Sequence, residues 1–350
     1  MGLISVAYHD DLKEVQGDAA LMALIGNDGA SAPFDRLAWW RLLAEEADMA
    51  PLIAVAQDAQ NRAVLPLARH GRQIGGLVNW YSFRLAPLAS PAADCERLFT
   101  ALAAGLARQA SHIVLEPLPD ENGETTLLET AFRKAGWAVF REPCDENHVL
   151  PVGGRSYAEY LAARPGPLRT TLKRKAAKVA VTIESAFDPE SWAAYEAVYA
   201  QSWKLDEGQP ALLRRFAEQE GAAGRLRLGI ARDRLDGAPL AAQFWTVEGG
   251  TAFIHKLAHT EASKPLSPGT TLSAALFAHA IDIDRVALVD FGTGADGYKR
   301  DWMEAVRPRY RLEMLRHARP GCWPRLARLM AKRLAARRQP AELVSRRTPA

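Results

Sequence analysis

The segment VALVDFGTGADGY, which ends at Tyr298, combines an apolar run, an acid, closely spaced glycines and a tyrosine. The glycines have the GxGxxG spacing of dinucleotide-binding loops and are Gly292, Gly294 and Gly297. A dinucleotide site also needs a βαβ crossover with an acid at the end of its second strand, and no complete crossover follows here. Two interpretations stay open. The glycines allow a tight exit from a strand, or they form an active-site loop that carries Asp290, Tyr298 and Lys299.

A second candidate is KPLSPGTTL, residues 264–272, because Pro and Gly here indicate the start of a helix. The first backbone N–H groups of a helix have no partner within it and attract anions. No acid lies between Glu261 and Asp282, whereas the corresponding helix of the first half opens with Asp94 and Glu96. If one half binds a phosphorylated cofactor, we expect the second. The alternative is an ordinary helix with a side-chain cap. The candidate cofactor-binding residues are Ser267, Pro268, Gly269, Thr270 and Thr271.

His255 and His259 are four residues apart, but Lys256 occupies the position where a zinc protease needs glutamate. The surrounding TAFIHKLA is typical of a strand, in which residues four apart lie about 13 Å from each other on one face. We therefore expect no metal ligands here. His255 is interpreted as a half-buried residue of the sheet, with contact to an acceptor as the second interpretation.

Elements predicted from hydrophobic periodicity recur in the two halves of the chain. In the first half we predict helices over 35–46, 92–109 and 124–135, a hairpin of strands 52–57 and 62–70, and strands over 77–83, 112–116 and 137–141. In the second half we predict helices over 167–178, 189–202 and 270–282, and strands over 226–231, 239–247, 251–258 and 286–291. An offset of 174 residues aligns the two series and places Glu116 opposite Asp290. We infer a duplicated α/β unit with a linker over 151–155, and chance similarity is the alternative.

The composition is that of a globular chain with room for two cores, since 48% of its 350 residues are apolar and 24% are charged. The longest apolar stretch, residues 98–107, is far shorter than the roughly 18 residues of a membrane helix. The first residues lack the basic and apolar regions of a signal peptide. Three cysteines without a CxxC pair predict neither a disulfide framework nor a zinc site. A cytoplasmic protein is expected.

Positive charge is concentrated in two segments, although the net charge is only +3. Residues 316–350 hold ten Lys and Arg and one acid, which leaves 34 basic and 40 acidic residues elsewhere. An acidic body argues against general nucleic-acid binding, so DNA is not expected as a partner and RNA is less favoured than a small molecule. Residues 164–178 are also basic, and they form either a solvated helix face or a positively charged surface that binds an anion.

At the C-terminus, apolar residues form a helical stripe beside arginines: Trp323, Leu326, Met330 and Leu334. This helix suits either an anionic membrane surface, as a peripheral contact, or packing on its own domain.

Three segments in order resemble a known family: GAPLAAQFW, SPGTTLSAALFAHAI and VDFGTGADGYKRDWM. They are similar to the two-domain relatives of the GCN5-type (GNAT) acyltransferases, the CelD/BcsL or BioF2-like group, which is related to the FemAB ligases. The resemblance covers residues 165–315 well and the first half by pattern. In place of the usual CoA loop, Q/R-x-x-G-x-G/A, this chain has SPGTT.

The resemblance implies an α/β fold of two tandem GNAT-like units with mixed sheets, at 1–152 and 153–316, followed by a basic helix and tail at 317–350. It implies acetyl-CoA or another acyl-CoA in a cleft of the second unit, where two strands splay apart, with the pyrophosphate at the helix that begins near Gly269. No metal is implied.

The expected reaction transfers an acyl group to the amine or hydroxyl of a small-molecule or saccharide acceptor, in surface-polysaccharide or cell-envelope metabolism. We expect Asp290 as the base, Tyr298 as the acid and Lys299 as a holder of anionic charge; alternatively, Asp290 only caps the glycine loop. The residues expected to bind the acceptor are Trp203, Lys204, Gln243, His255 and Lys256. A FemAB-like transferase that uses aminoacyl-tRNA and a degenerate binding protein are the alternative functions.

Overall fold

Short polar residues cap several helices at the points where the sequence places them. The carboxylates of Asp18, Asp94 and Asp188 accept hydrogen bonds from backbone N–H groups in the first turn of the helix that follows each. These bonds satisfy amides that have no partner within the helix. Local sequence therefore determines where these helices begin.

The computed structural model describes residues 3–26, 31–71, 73–204, 207–294 and 297–338. The helices are α1 (Leu12–Gln16), α2 (Ala19–Ile25), α3 (Leu37–Glu46), α4 (Cys95–Leu106), α5 (Glu124–Lys134), α6 (Tyr157–Ala162), α7 (Gly166–Lys175), α8 (Pro189–Ala200), α9 (Pro210–Ala222), α10 (Pro268–Ala278), α11 (Lys299–Trp302) and α12 (Trp323–Arg338). The strands are β1 (Ser5–His9), β2 (Ala50–Gln57), β3 (Arg62–His70), β4 (Gln73–Gly76), β5 (Leu88–Ala89), β6 (His112–Leu118), β7 (Ala138–Pro151), β8 (Val179–Glu184), β9 (Leu226–Asp233), β10 (Pro239–Glu248), β11 (Thr251–His259), β12 (Leu288–Thr293) and β13 (Ala305–Leu315). In these residues, no helix is both long and apolar enough to cross a membrane.

The strands described here form one mixed sheet in the order β1-β2-β3-β4-β6-β13-β7-β12-β11-β10-β9-β8, with β5 paired to β3. The predicted duplication is confirmed. The offset of 174 residues carries Ser5, the first residue of β1, onto Val179, the first residue of β8. It also aligns α4 with α10 and β6 with β12 within two residues. The chain consists of two α/β units with the same order of elements, as expected.

The two units exchange strands at the centre of the sheet. β7, from the first half, lies between β13 and β12, and β13, from the second half, lies between β6 and β7. The pairing of β13 with β7 is antiparallel and runs from Ala305–Val149 to Leu315–Ala138. Each half thus completes the sheet of the other, and the predicted boundaries at 152 and 316 separate strands that pair with each other. Those boundaries stay a prediction.

The two halves also share a core. The indole of Trp39 on α3 packs on the ring of Phe216 on α9, with centroids 4.9 Å apart. Beside this pair the guanidinium of Arg36 donates two hydrogen bonds, of 3.0 and 3.1 Å, to the carboxylate of Glu220. Both partners of this ion pair are almost fully buried. The interface between the halves is therefore continuous with the interior of the protein.

Some predicted elements differ from the structure. The strand predicted over 77–83 is wrong: the strand there is β4, at 73–76, and the following residues are irregular. β7 continues far beyond the predicted end at 141 and includes the first residue of the predicted linker. The helix predicted from residue 35 begins later, because α3 begins after Arg36, and the carboxylate of Asp35 pairs with Arg84.

Candidate active site

Two parallel strands of the second half separate soon after they begin. The pairing of β11 with β12 comprises three residue pairs, from Thr251–Leu288 to Phe253–Asp290. Beyond this point β11 continues to His259, while β12 stays paired with β7 on its other side as far as Thr293 and Asn147. The divergence opens a cleft of about 370 Å³ between the two strands. The expectation of a cleft where two strands splay apart agrees with this geometry.

Both halves of the chain line the cleft. β11 contributes Ile254, His255, Lys256 and Leu257, and the end of β12 with its loop contributes Phe291, Gly292, Thr293 and Gly294. The remaining lining residues come from elsewhere: Trp80, Tyr81, Phe83, Asp145, Lys204, Tyr298 and Lys299. Besides His255, four of the acceptor and catalytic residues predicted from the sequence therefore lie together on this surface: Lys204, Lys256, Tyr298 and Lys299.

A β-bulge directs two successive residues of β11 toward this cleft. Across the β10–β11 pair, Phe244 faces Lys256 and Trp245 faces Ile254, so His255 is the extra residue. A bulge interrupts the alternation of side chains and re-aims them, and bulges are common near active sites. His255 and Lys256 can therefore both line the cleft, which a regular strand would not allow.

Lys256 lies in a box of aromatic rings. Its Nζ atom is 4.8 Å from the ring centroid of Trp80, 4.5 Å from that of Tyr81 and 5.5 Å from that of Tyr199. The same atom is 3.0 Å from Oε1 of Glu207, and both side chains are at least nine-tenths buried. Burial lowers the pKa of Lys256, and the nearby Glu207 carboxylate opposes that effect. The arrangement holds an ammonium group where ring faces attract cations.

His255 is surrounded by the rings of Phe34, Phe83, Phe216 and Phe244. Its Nε2 atom is 2.8 Å from Oγ1 of Thr246. Burial in these aromatic surroundings lowers the pKa of His255 to about 3. The imidazole is therefore neutral at physiological pH, and its basicity is too low for an efficient proton acceptor there.

The glycine loop at the end of β12 is fixed by hydrogen bonds from several sides. The N–H of Gly292 donates to Oδ1 of Asp290 at 2.8 Å, and the N–H of Gly294 donates to Oδ1 of Asp145 at 3.1 Å. From the other side, Nζ of Lys299 donates to the carbonyl oxygens of Thr293 and Gly294. The loop forms a tight exit from the strand, which is one of the two interpretations of the glycine spacing.

The three predicted catalytic residues lie around this loop in different environments. Asp290 is buried, accepts a 2.7 Å hydrogen bond from Nδ2 of Asn147, and is absent from the lining of the cleft. Lys299 is also buried, although it reaches the cleft. Tyr298 is 40% exposed and packs edge to face on Phe291. Tyr298 is thus the most accessible of the three, and Asp290 caps the glycine loop.

The start of α10 differs from the start of the equivalent helix α4. Asp94 caps α4 by accepting a hydrogen bond from the N–H of Arg97. In the part of the chain that the structure describes, no side chain caps α10, so a cap from Ser267, Thr270 or Thr271 is not formed. Instead, Nζ of Lys175 on α7 donates to Oγ of Ser267 at 3.0 Å. The start of α10 is positive where that of α4 carries a carboxylate.

The remaining predicted residues divide between the two regions. The ring of Trp203 packs on His259, with centroids 4.4 Å apart, and His259 lies next to Gly269. Gln243 is buried, and its Nε2 atom donates a hydrogen bond of 2.7 Å to Oγ of Ser273 on α10. Gln243 does not line the cleft. The expectation that Gln243 binds the acceptor conflicts with this position. The predicted cofactor residues 267–271 also lie outside the cleft lining, at the start of α10.

Several residues of the site are not among those predicted from the sequence. Trp80 and Tyr81 lie in the irregular segment that was predicted to be a strand, and Glu207 lies between α8 and α9. Trp80 is 72% exposed, and the sequence did not single it out because this tryptophan falls within the predicted strand. Within the residues described, no group of three His, Cys, Asp or Glu side chains is arranged to hold a metal ion.

Residues 157–300 match the family model described as an acetyltransferase (GNAT) domain. No curated protein matches the chain at a significant level. Among solved structures, FemX is similar with a TM-score of 0.61 and 10% identity, over 90% of this chain and 98% of FemX. L-PGS from Bacillus licheniformis is similar with a TM-score of 0.54 and 12% identity, over 94% of this chain and 98% of that protein.

A tandem GNAT protein from the clavulanic acid biosynthesis pathway is similar with a TM-score of 0.52 and 14% identity, over 89% of this chain and 98% of its own. At such low identities the similarity shows the fold alone, because one fold carries many activities. The splayed strands, the bulged β11 and the helix after it all lie within the matched segment 157–300. The second half of the chain therefore resembles a GNAT-type acetyltransferase domain, within a fold of two GNAT-like units.

Proposed function

We propose that the protein is an acyltransferase that moves an acetyl or other acyl group from CoA to the amine or hydroxyl of a small-molecule or saccharide acceptor. The observation that carries this proposal is the contrast between the two equivalent helices. α10 begins without a side-chain cap and next to Lys175, whereas α4 begins with the carboxylate of Asp94. Of these two helix starts, that of α10 suits a pyrophosphate and that of α4 does not.

The cleft between β11 and β12 is the proposed place of the reacting thioester. The acceptor nitrogen or oxygen forms a bond to the thioester carbonyl carbon, and the carbon–sulfur bond breaks. The acceptor loses a proton to a base, and the CoA thiolate gains one from an acid. Tyr298, at the exposed rim, is the proposed acid. Asp290 is the proposed base and, because it lies behind the glycine loop, it would act through a water molecule.

The acceptor is proposed to enter beside Trp80 and Lys256. The exposed ring of Trp80 offers an apolar face to a ring-shaped acceptor such as a saccharide, as expected for the CelD/BcsL group that the sequence resembles. Lys204 adds a cation to the same wall, whereas the ammonium of Lys256 is paired with Glu207. An acceptor with both an apolar face and anionic or hydroxyl groups fits these surroundings, in line with a role in cell-envelope metabolism.

The binding of CoA is tested by thermal stabilisation with CoA, acetyl-CoA and longer acyl-CoAs. A ligand at 100 times its Kd stabilises a protein by about 2.7 kcal/mol. The variant Gly269→Asp should lose this stabilisation, because a carboxylate at the start of α10 repels pyrophosphate. A Cβ at this position has its closest contact with Cδ2 of His259, at an ordinary 3.5 Å, so the helix should still form.

Gly269→Asn has nearly the same shape without the charge, and it should keep most of the response to CoA. Pro91→Asp, near the start of the equivalent helix in the first half, should keep all of it. An undiminished CoA response in Gly269→Asp would exclude the start of α10 as the binding site. Once an acceptor is known, Tyr298→Phe and Asp290→Asn should each lower kcat with little change in CoA affinity.

A second candidate function is the transfer of an aminoacyl group from charged tRNA. One observation favours it: Arg169, Lys173 and Arg174 are exposed on α7, which packs beside α10. Replacing Lys173 and Arg174 by Glu should abolish tRNA binding if this candidate is correct, and should leave stabilisation by acetyl-CoA unchanged if it is not. Stabilisation by CoA without turnover of any acceptor would instead indicate a binding protein.

A further inference from the structure

The C-terminal helix α12 presents an apolar stripe to solvent. Trp323, Met330 and Leu334 are 57%, 53% and 55% exposed, and they are 7 and 4 residues apart. At 100° per residue this spacing places all three on one face of the helix. We call these three residues the α12 stripe. Large apolar side chains that are exposed together, as here, indicate a surface that binds something.

The adjoining side of α12 is attached to the body of the protein. Leu326 and Leu329 pack in a small cluster with Phe140, Leu315 and Cys322. The guanidinium of Arg325 donates two hydrogen bonds, of 2.7 and 2.8 Å, to Glu313 on β13. Packing of the helix on its own domain therefore uses a different face. It leaves the α12 stripe uncovered and holds it in a fixed orientation.

Positive charge surrounds the stripe. Arg319, Arg328 and Arg333 are exposed, and none of them has an acidic partner among the residues that the structure describes. The cations of α12 that do pair with acids, Arg325 and Lys332, face Glu313 and Glu142 on the body. Arg328 and Arg333 thus lie on the two sides of the stripe, roughly 140° and 80° around the helix from it.

We propose that the α12 stripe binds the surface of an anionic lipid bilayer. Trp323, Met330 and Leu334 would enter the boundary between headgroups and acyl chains, and Arg328 and Arg333 would contact lipid phosphates. Charge favours this occupant over a second copy of the chain. In a two-fold symmetric contact the stripe would face itself and bring the same arginines together. The proposal does not depend on acyl transfer.

The test is cosedimentation of the full chain with vesicles of phosphatidylcholine alone and of phosphatidylcholine mixed with phosphatidylglycerol. We expect binding to the mixed vesicles in low salt, weaker binding in high salt and little binding to the neutral vesicles. The double variant Arg328→Gln/Arg333→Gln should bind the mixed vesicles roughly 30-fold more weakly. Met330→Gln/Leu334→Gln should bind them at least about tenfold more weakly.

Two exposed residues away from α12 provide matched controls. Leu235→Gln removes an apolar side chain that is 95% exposed, and Arg108→Gln removes an exposed arginine. Both should bind vesicles as the unchanged chain does, and the melting temperature of every variant reports whether it is folded. Equal binding to neutral and mixed vesicles, or none to either in low salt, would overturn the proposal. So would self-association of the chain that Met330→Gln/Leu334→Gln abolishes.

Discussion

Lys256 has its ammonium group in an aromatic box, 3.0 Å from the buried carboxylate of Glu207. The hydroxyl of Tyr195 also donates to Glu207, at 3.1 and 3.3 Å from its two oxygens. A buried ion pair contributes little net stability relative to apolar residues of the same shape. Removing only one partner, however, leaves an uncompensated charge in the interior. Lys256 is thus tied to the wall of the cleft by its partner.

Lys256→Met should lower the free energy of unfolding by about 3 kcal/mol, because Glu207 loses its cation while the apolar stem of residue 256 is retained. Lys256→Met/Glu207→Gln should regain most of this loss. Urea unfolding of the single and double variants measures the coupling. Lys264→Met removes an exposed lysine paired with Glu261 and should cost about 1 kcal/mol or less. Equal losses in the single and double variants would contradict the pairing.

Glu248 is a buried acid that shares the Arg36 guanidinium with Glu220. Burial raises the pKa of Glu248 from its ordinary 4.5 to about 7; the nearby Arg36 lowers it and the Glu220 charge raises it further. The folded protein keeps this proton up to about pH 7, whereas the unfolded chain loses it near its ordinary pKa. The stability from Glu248 is thus complete below about pH 4.5 and is lost as the pH rises toward 7.

Between pH 5 and pH 8, the free energy of unfolding should fall by a few kcal/mol more in the unchanged chain than in Glu248→Gln. One pKa unit corresponds to about 1.4 kcal/mol. Urea unfolding at both pH values measures the difference. Glu304→Gln is the control, because a hydrogen bond from Arg155 lowers the pKa of Glu304. The stability that Glu304 contributes is lost only at acidic pH. The difference in free energy of unfolding between Glu304→Gln and the unchanged chain should therefore stay the same between pH 5 and pH 8.

At the scale of elements, the glycine loop connects the wall of the cleft to the first half of the chain. Gly292 has a φ of +68°, and a Cβ at this position would be 2.9 Å from the ring of Phe83. Glycine is thus required both for the left-handed backbone and for the close approach of Phe83. The loop allows an aromatic side chain of one unit to pack directly on the strand end of the other.

Gly292→Ala should lower the free energy of unfolding more than Gly237→Ala does. Gly237 has a φ of +76°, and a Cβ added there would have no atom within 4 Å, so that control isolates the backbone cost of about 1 kcal/mol. We expect Gly292→Ala to lower the free energy of unfolding by at least about 1 kcal/mol more than Gly237→Ala does. Adding Phe83→Leu to Gly292→Ala should recover part of this additional loss. Urea unfolding of the three variants measures both effects. Equal losses of stability in Gly292→Ala and Gly237→Ala would show that the Phe83 ring moves aside without a measurable cost.

At the scale of the whole molecule, the exchange of β7 and β13 joins the two units in one sheet. β7 pairs with β12 and β13, and β13 pairs with β6 and β7. A strand without these partners would expose unpaired backbone groups and apolar side chains. The aromatic core between α3 and α9 adds to this mutual dependence.

Residues 1–152 and 153–350, produced separately, should each fail to unfold cooperatively, because each fragment lacks a central strand of its sheet. When the two are produced together, they should form a complex that unfolds in a single transition. Circular dichroism during urea unfolding tests both statements. Cooperative unfolding of either fragment alone would show that the exchanged strands are dispensable and that the predicted boundaries mark independent domains.

The sequence by itself determined the features that depend on near neighbours along the chain. Apolar periodicity and short polar turns predicted the β2–β3 hairpin, α4, β6 and α10 close to their observed bounds. The constant spacing of these elements revealed the duplication, because the two copies kept the same order. Glycine spacing predicted the tight loop after β12, and its conformations at Gly292 and Gly294 have positive φ.

Only the tertiary structure decided which distant segments meet. β7 was predicted too short because REPCDEN, residues 141–147, has no apolar alternation. The segment is a strand because β13 pairs with it throughout, and β12 pairs on the other side from Asn147 onward. The aromatic box around Lys256 joins Trp80 to a strand more than 150 residues away, and a bulge sets its direction. Local periodicity carries no information on such contacts, since pairing and burial between distant segments depend on the free energy of the whole fold.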